Sequence, residues 1–82
     1  MVKVKFYGMI RLNAGLAELA LEAKTIGELI GLIDYNVEGL NEKDLKNCII
    51  LVNEINVLKL KKLKTLLKDG DEVLFLSPAS GG

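Results

Sequence analysis

The residues best suited to chemistry close the sequence: Ser77-Pro78-Ala79-Ser80-Gly81-Gly82. Folding gives no reason for paired glycines there, because Gly loses the most backbone entropy on ordering and offers no side chain to pack. Chemistry does give one. A carboxylate on Gly82, carried by a tail without bulk, can enter a narrow channel and reach a nucleotide phosphate. The plainer account is a frayed terminus that happens to end in glycines. What precedes the tail decides how much weight it bears. Lys68-Asp69-Gly70-Asp71-Glu72-Val73-Leu74-Phe75-Leu76 reads as an Asp-Gly turn feeding a strand. Pro78, with no N–H for a ladder, then stops that strand.

Other chemistries are thinly provided for. The 82 residues include no histidine, which removes Ser-His and Cys-His nucleophilic sites and makes a zinc site improbable; no other metal site is expected. The single cysteine, Cys48, cannot form an internal disulfide and sits in the apolar run Cys48-Ile49-Ile50-Leu51-Val52. It reads as a small buried hydrophobe rather than a reactive thiol. Met1-Val2-Lys3-Val4-Lys5 alternates instead of forming a signal-peptide block, and no apolar run is long enough to span a membrane. The expectation is a soluble cytoplasmic domain over residues 1–77, followed by a flexible tail over 78–82.

Lys+Arg and Asp+Glu both number 11, so formal net charge is zero, but the lysines cluster at Lys59, Lys61, Lys62, Lys64 and Lys68. With no arginine and no interleaved aromatic residue for stacking, this cluster reads as a solvated sheet edge rather than a nucleic-acid surface.

The elements that must position the tail follow from periodicity. Val2, Val4 and Phe6 alternate with Lys3, Lys5 and Tyr7, giving a strand with one buried face. Gly8 to Gly15 reads as a turn closed by glycine. Leu16 to Ala23 has helical propensity, yet its short length and position after a turn favour a hairpin partner for the first strand. Thr25-Ile26-Gly27-Glu28 is a capping box, and Ile26, Leu29, Ile30 and Ile33 then form one helical stripe. Gly27 and Gly31 weaken that helix unless they permit close packing on the sheet. A short helical turn is expected near Asn41 to Leu45. Cys48 to Val52 reads as a central strand buried on both faces. Asn53 to Asn56 turns the chain into an edge strand over Val57 to Leu60. Lys61 to Lys68 is irregular or briefly helical, with Leu63, Leu66 and Leu67 available to the core. Strand, strand, helix, strand, edge strand, strand is an α+β order: the β-grasp arrangement, a mixed sheet with one main covering helix.

With that order established, the chain resembles the ubiquitin-like sulfur carriers, especially the small subunit of molybdopterin synthase and its archaeal relatives. The resemblance is carried by Val2 to Tyr7, by Arg11 with Gly15, by Val52-Asn53, and above all by Leu67 to Gly82. One departure is Val52-Asn53-Glu54, where the family usually has Val-Asn-Gly.

The resemblance implies a carrier and substrate rather than an enzyme, with no cofactor of its own. A partner similar to the ubiquitin-activating adenylyltransferases would use ATP to adenylate the Gly82 carboxylate. A sulfur donor would then convert it to a thiocarboxylate, and the large subunit of molybdopterin synthase, or another acceptor protein, would receive the sulfur. Gly81 would let the backbone pass without a Cβ, and Ala79 and Ser80 would keep the tail slim. Pro78 would stiffen the exit. Arg11 would be a structural or partner contact, or an ordinary surface residue. Sulfur delivery to thiamine or tRNA, and conjugation of Gly82 to lysines as in archaeal small modifiers, use the same tail chemistry. An RNA-binding β-grasp module is the more distant alternative.

The last strand does not alternate. If Val73 and Phe75 face the helix, Leu74, Leu76 and Tyr7 form an exposed apolar patch leading into the tail. The patch would dock partners, unless the chain after Tyr35 folds back to cover it.

Overall fold

Alternation in the first strand is what lays down the core. In the computed structural model, which describes residues 1–77, β1 (Val2–Tyr7) buries Val2, Val4 and Phe6 and leaves Lys3 and Tyr7 exposed. β2 (Glu18–Leu21) pairs antiparallel to it, with Leu21 opposite Val2 and Leu19 opposite Val4. The segment's helical propensity yields to this pairing, which sets both leucines on the core side.

Between them lies a helix, not the expected turn. α1 (Met9–Ala14) buries Ile10 and Ala14, four residues apart on one face. Gly15 does close it, left-handed at φ 73°, its N–H bonded to the Arg11 carbonyl.

The covering helix is α2 (Ile26–Asn36). Thr25 Oγ1 accepts the Glu28 N–H at 3.1 Å. The returning carboxylate of Glu28 accepts from Lys24 N–H at 3.0 Å rather than from Thr25 itself. Ile26, Leu29, Ile30 and Ile33 are completely buried, each contributing roughly 1.5–3 kcal/mol of gross burial. Gly27 does allow close approach, but of the Leu63 carbonyl rather than the sheet, and Gly31 faces open space. α3 (Glu42–Lys46) begins at Asn41, whose side chain accepts from Asp44 N–H at 2.9 Å. Between α2 and α3, Gly39 (φ 91°) passes so close to the Asn13 carbonyl that any Cβ would collide with it.

β3 (Ile49–Val52), β4 (Ile55–Asn56) and β5 (Glu72–Leu76) complete a five-stranded sheet of order β2-β1-β5-β3-β4. β1 and β5 run parallel, and every other pairing is antiparallel. Phe6 and Phe75 are register partners, with ring centroids 5.9 Å apart at the centre of the core. A mixed sheet crossed on one face by α2 is the β-grasp expected from the element order.

Four local expectations need correction. β3 is not buried on both faces: Ile50 and Val52 point into the core, whereas Ile49 is exposed and Leu51 half-buried. The edge strand is only Ile55–Asn56, because the Asn56 side chain accepts from Leu58 N–H at 2.9 Å and turns Val57–Lys59 into a 3-10 helix. The brief helical segment expected after Lys61 is a 3-10 turn over Lys62–Lys64, but of its three leucines only Leu67 packs against the core, and Leu63 and Leu66 are exposed. Cys48 precedes β3 and is half-buried rather than central to a strand. No helix among the described residues is long and apolar enough to cross a membrane.

Candidate functional site

Two strand pairings assemble an apolar surface on the sheet face opposite α2. The parallel β1–β5 register sets Tyr7 beside Leu76 and Lys5 beside Leu74. The antiparallel β3–β5 register sets Ile49 opposite Leu76 and Leu51 opposite Leu74. Tyr7 is 49% and Ile49 43% exposed, and the three leucines are partly exposed between them. The surface is centred on β5, the strand that runs toward the tail. Tyr7, Leu74 and Leu76 thus come together as their pattern predicts. Ile49 and Leu51 join them unpredicted, because a continuous apolar run gives no sign that one of its faces is open. The chain beyond Tyr35 does not cover this surface. Val37, Leu40 and Leu45 are buried in the core on the other side.

Past Leu76, Ser77 is held by three hydrogen bonds. Its N–H donates to the Tyr7 carbonyl at 3.2 Å, its hydroxyl donates to the same carbonyl at 3.2 Å, and its Oγ accepts the Ile10 N–H at 2.6 Å. Ile10 N–H is one of the unpaired donors at the start of α1, so Ser77 supplies the cap that Gly8 lacks. Gly8 itself, at φ 80° and ψ −153°, occupies a backbone region open essentially to Gly alone, and a Cβ there would stand 2.9 Å from Ser77 Oγ. The exit from β5 is therefore fastened to the β1–α1 junction, at the edge of the apolar face. This role of Ser77 is not apparent from the residues around it in sequence. The signal for it was slight: a lone Gly8 directly after a strand.

The entry to β5 is fixed as well. Asp71 is buried; its carboxylate accepts from Asn53 Nδ2 at 3.0 Å and from Lys68 N–H at 2.9 Å. Asn53 Oδ1 in turn accepts Glu72 N–H at 3.0 Å. Burial works to raise the Asp71 pKa, but the hydrogen bonds from Asn53 and Lys68 and the Lys68 charge hold it below the ordinary carboxylate value.

The other candidates lie apart from this face. Arg11 is exposed on α1, makes no ion pair among the described residues, and lines a shallow hollow with Leu12 and Leu16. Burial, with a contribution from the Asp44 charge, pushes the Cys48 thiol up to about 11, so little thiolate exists near neutral pH. Its Sγ lies 3.4 Å from the Asp44 carbonyl. Among the described residues no group of His, Cys, Asp and Glu is arranged to hold a metal ion. Pro78, Ala79, Ser80, Gly81 and Gly82 lie outside the described residues.

The comparisons with known proteins agree with this geometry. The ThiS family matches residues 5–82. Small archaeal modifier protein 1 from Methanosarcina acetivorans is 33% identical, with a TM-score of 0.76 over 99% of this chain and 95% of that one. A chain in the complex of subunits 1 and 2 of molybdopterin-converting factor from Helicobacter pylori is 31% identical, with a TM-score of 0.70 over 99% and 97%. A chain of the BexX/CysO complex from Amycolatopsis orientalis shares the fold at 24% identity, with a TM-score of 0.81 over the full length of both. None of the curated protein sequences compared with the chain matches it significantly. By the match over residues 5–82 and the shared fold, the chain belongs to the ThiS family of ubiquitin-like sulfur carriers.

Proposed function

We propose that the chain carries sulfur as a thiocarboxylate on Gly82, as the small, non-catalytic subunit of a molybdopterin synthase. A carboxylate oxygen of Gly82 attacks the α-phosphorus of ATP in a partner adenylyltransferase, and pyrophosphate leaves. Hydrosulfide delivered by a sulfur donor attacks the acyl carbon and AMP leaves, giving the thiocarboxylate; its sulfur later passes to an acceptor held by a larger subunit, and water returns Gly82 to a carboxylate. The chain itself supplies no acid, base or metal to these steps; it supplies the carbonyl and the surface that brings it to the partner. Support for the molybdopterin branch is the 31% identity to a chain from the two-subunit molybdopterin-converting factor complex.

The observation that carries the reading is the joining of two features at one strand. β5 bears Leu74 and Leu76 on an apolar face, and its end is fastened through Ser77 just before the sequence Pro78 to Gly82. A partner seated on Tyr7, Leu74, Leu76, Ile49 and Leu51 receives the tail at a fixed starting point.

The second reading, conjugation of Gly82 to protein lysines, draws support from the 33% identity to a small archaeal modifier protein. Both begin with adenylation. The test is ATP–pyrophosphate exchange catalysed by an adenylyltransferase from the same cells. Exchange requires Gly82: deleting it, or placing a bulky residue at Gly81, abolishes exchange and leaves thermal unfolding nearly unchanged. Full exchange without Gly82 overturns both readings.

A further inference from the structure

Around the corner from the open sheet face lies a groove of about 360 Å³, bounded by the start of β3 and the two 3-10 turns. Its walls include Cys48, Ile49, Leu58 and Leu63, and its rim carries Lys46 and Lys62. Leu58 is 69% exposed on the first of these turns. Lys62 makes no ion pair among the described residues, and Lys46 reaches only Glu42, at 3.7 Å. Lys59, Lys61 and Lys64 stand on or beside the same turns.

The chemistry of an occupant follows from these walls. The volume is at the lower end of the range of about 300–1,000 Å³ that holds small ligands. Among the described residues no buried polar side-chain atom lacks a partner, so none stands waiting to orient such a ligand. No aromatic residue lines the groove, so bases would have nothing to stack on. What the groove offers is an apolar slot flanked by Lys62, unpaired among the described residues, and by Lys46, which shares its charge with Glu42, with the Asp44 carboxylate near the Cys48 end. Ile49 belongs to both surfaces: it lines the groove and, opposite Leu76, it also borders the open face. A protein docked on that face lies next to the slot.

We infer that the groove takes an apolar anchor flanked by carboxylates, borne on a segment of the partner protein that covers the open sheet face. Leucine- or phenylalanine-sized side chains fill the slot, while aspartates or glutamates meet Lys46 and Lys62. The lysine rim thereby selects for partner and register, because like charges at this position repel a basic segment. This extends the docking surface proposed above. It involves neither Gly82 nor adenylation, so it can fail without touching the carrier chemistry.

The test uses isotope-labelled full-length chain and the acetylated, amidated peptide Asp-Asp-Leu-Phe-Glu-Asp, followed by amide chemical shifts. A counterpart with lysine at each acidic position and a short single-stranded RNA serve as competing probes. The acidic peptide shifts the amides around Cys48, Ile49, Leu58 and Leu63. Leu58→Asp, or Lys46→Glu with Lys62→Glu, weakens it at least about tenfold, whereas Leu12→Asp on α1 leaves it unchanged. Leu58 and both lysines are exposed, so these variants fold. Absence of shifts, shifts centred elsewhere, equal binding of the lysine peptide or preferential binding of RNA each overturns the inference. So do concentration-dependent groove shifts without any peptide, which would make a second copy of this chain the occupant.

Discussion

Ser77 Oγ accepts the Ile10 N–H at 2.6 Å, joining the end of the last strand to the start of the first helix across 67 positions of sequence. The bond answers two needs at once. It pairs a helix-terminal donor that Gly8 cannot cap, and it fixes where the chain leaves the sheet. The short helix after β1 is thus tied to the point where the chain leaves the sheet.

Removing that bond should loosen the exit more than the core. Ser77→Ala leaves the Ile10 N–H without its acceptor and is expected to cost about 1 kcal/mol. Gly8→Ala forces a Cβ to within 2.9 Å of Ser77 Oγ at φ 80° and ψ −153°, which should cost about 1–3 kcal/mol. Urea unfolding of both variants checks the order. Amide exchange at Ile10 should rise in Ser77→Ala while that of Val4 and Phe75 stays slow.

The apolar face should matter to partners and little to stability. Leu76→Asp is predicted to weaken binding of the acceptor subunit by at least about 1–2 kcal/mol, with unfolding almost unchanged because Leu76 is only partly buried. Calorimetric titration beside thermal unfolding separates the outcomes. A variant that unfolds, with normal binding by whatever survives, would place Leu76 in the core and the docking surface elsewhere.

Asp71 should make stability depend on acid. Its folded pKa is depressed, so its contribution is complete above the unfolded value of about 4 and disappears as pH falls through the lower folded value. Asp71→Asn removes one of the two acceptors that serve Asn53 and Lys68 and should cost about 1–3 kcal/mol near neutrality. Denaturant unfolding between pH 7 and pH 2 should show the gap between wild type and variant narrowing as the wild-type carboxylate is protonated.

Asn53 (φ 49°) and Glu54 (φ 73°) form the turn between β3 and β4, and the second holds a long side chain in the left-handed region. Glu54→Gly should therefore stabilise the fold by about 1 kcal/mol, since glycine adopts this conformation without steric cost. Asn53→Gly should do the reverse, because it deletes both side-chain bonds to Asp71 and Glu72. Melting temperatures of the two variants moving in opposite directions would bear this out.

Much of this fold is legible from periodicity. Val2, Val4 and Phe6 announce β1 by strict alternation, and Thr25 with Glu28 announces α2 and its register. The open face was visible through Leu74 and Leu76, because a strand apolar on both sides cannot be covered by one helix. Elsewhere an apolar pattern conceals the hydrogen bond or pairing that overrides it. Val57 to Leu60 reads as a strand until the Asn56 side chain takes the Leu58 N–H. Gly8 to Gly15 reads as a turn because the acceptor that caps the helix comes from Ser77, far along the chain. Ile49 lies in a run whose composition is that of a fully buried strand, and only its pairing with Leu76 shows that its face is open. The Ser77 cap and the strand order are tertiary facts, and no window of local sequence contains them.

The most direct measurement is the intact mass of the protein recovered from its own cells, with fragmentation of the C-terminal peptide. The carrier account predicts a species in which one carboxylate oxygen of Gly82 is replaced by sulfur, and the same species in Cys48→Ala. Gly82 found only in isopeptide linkage to lysines, only as a free carboxylate, or followed by further residues would contradict it.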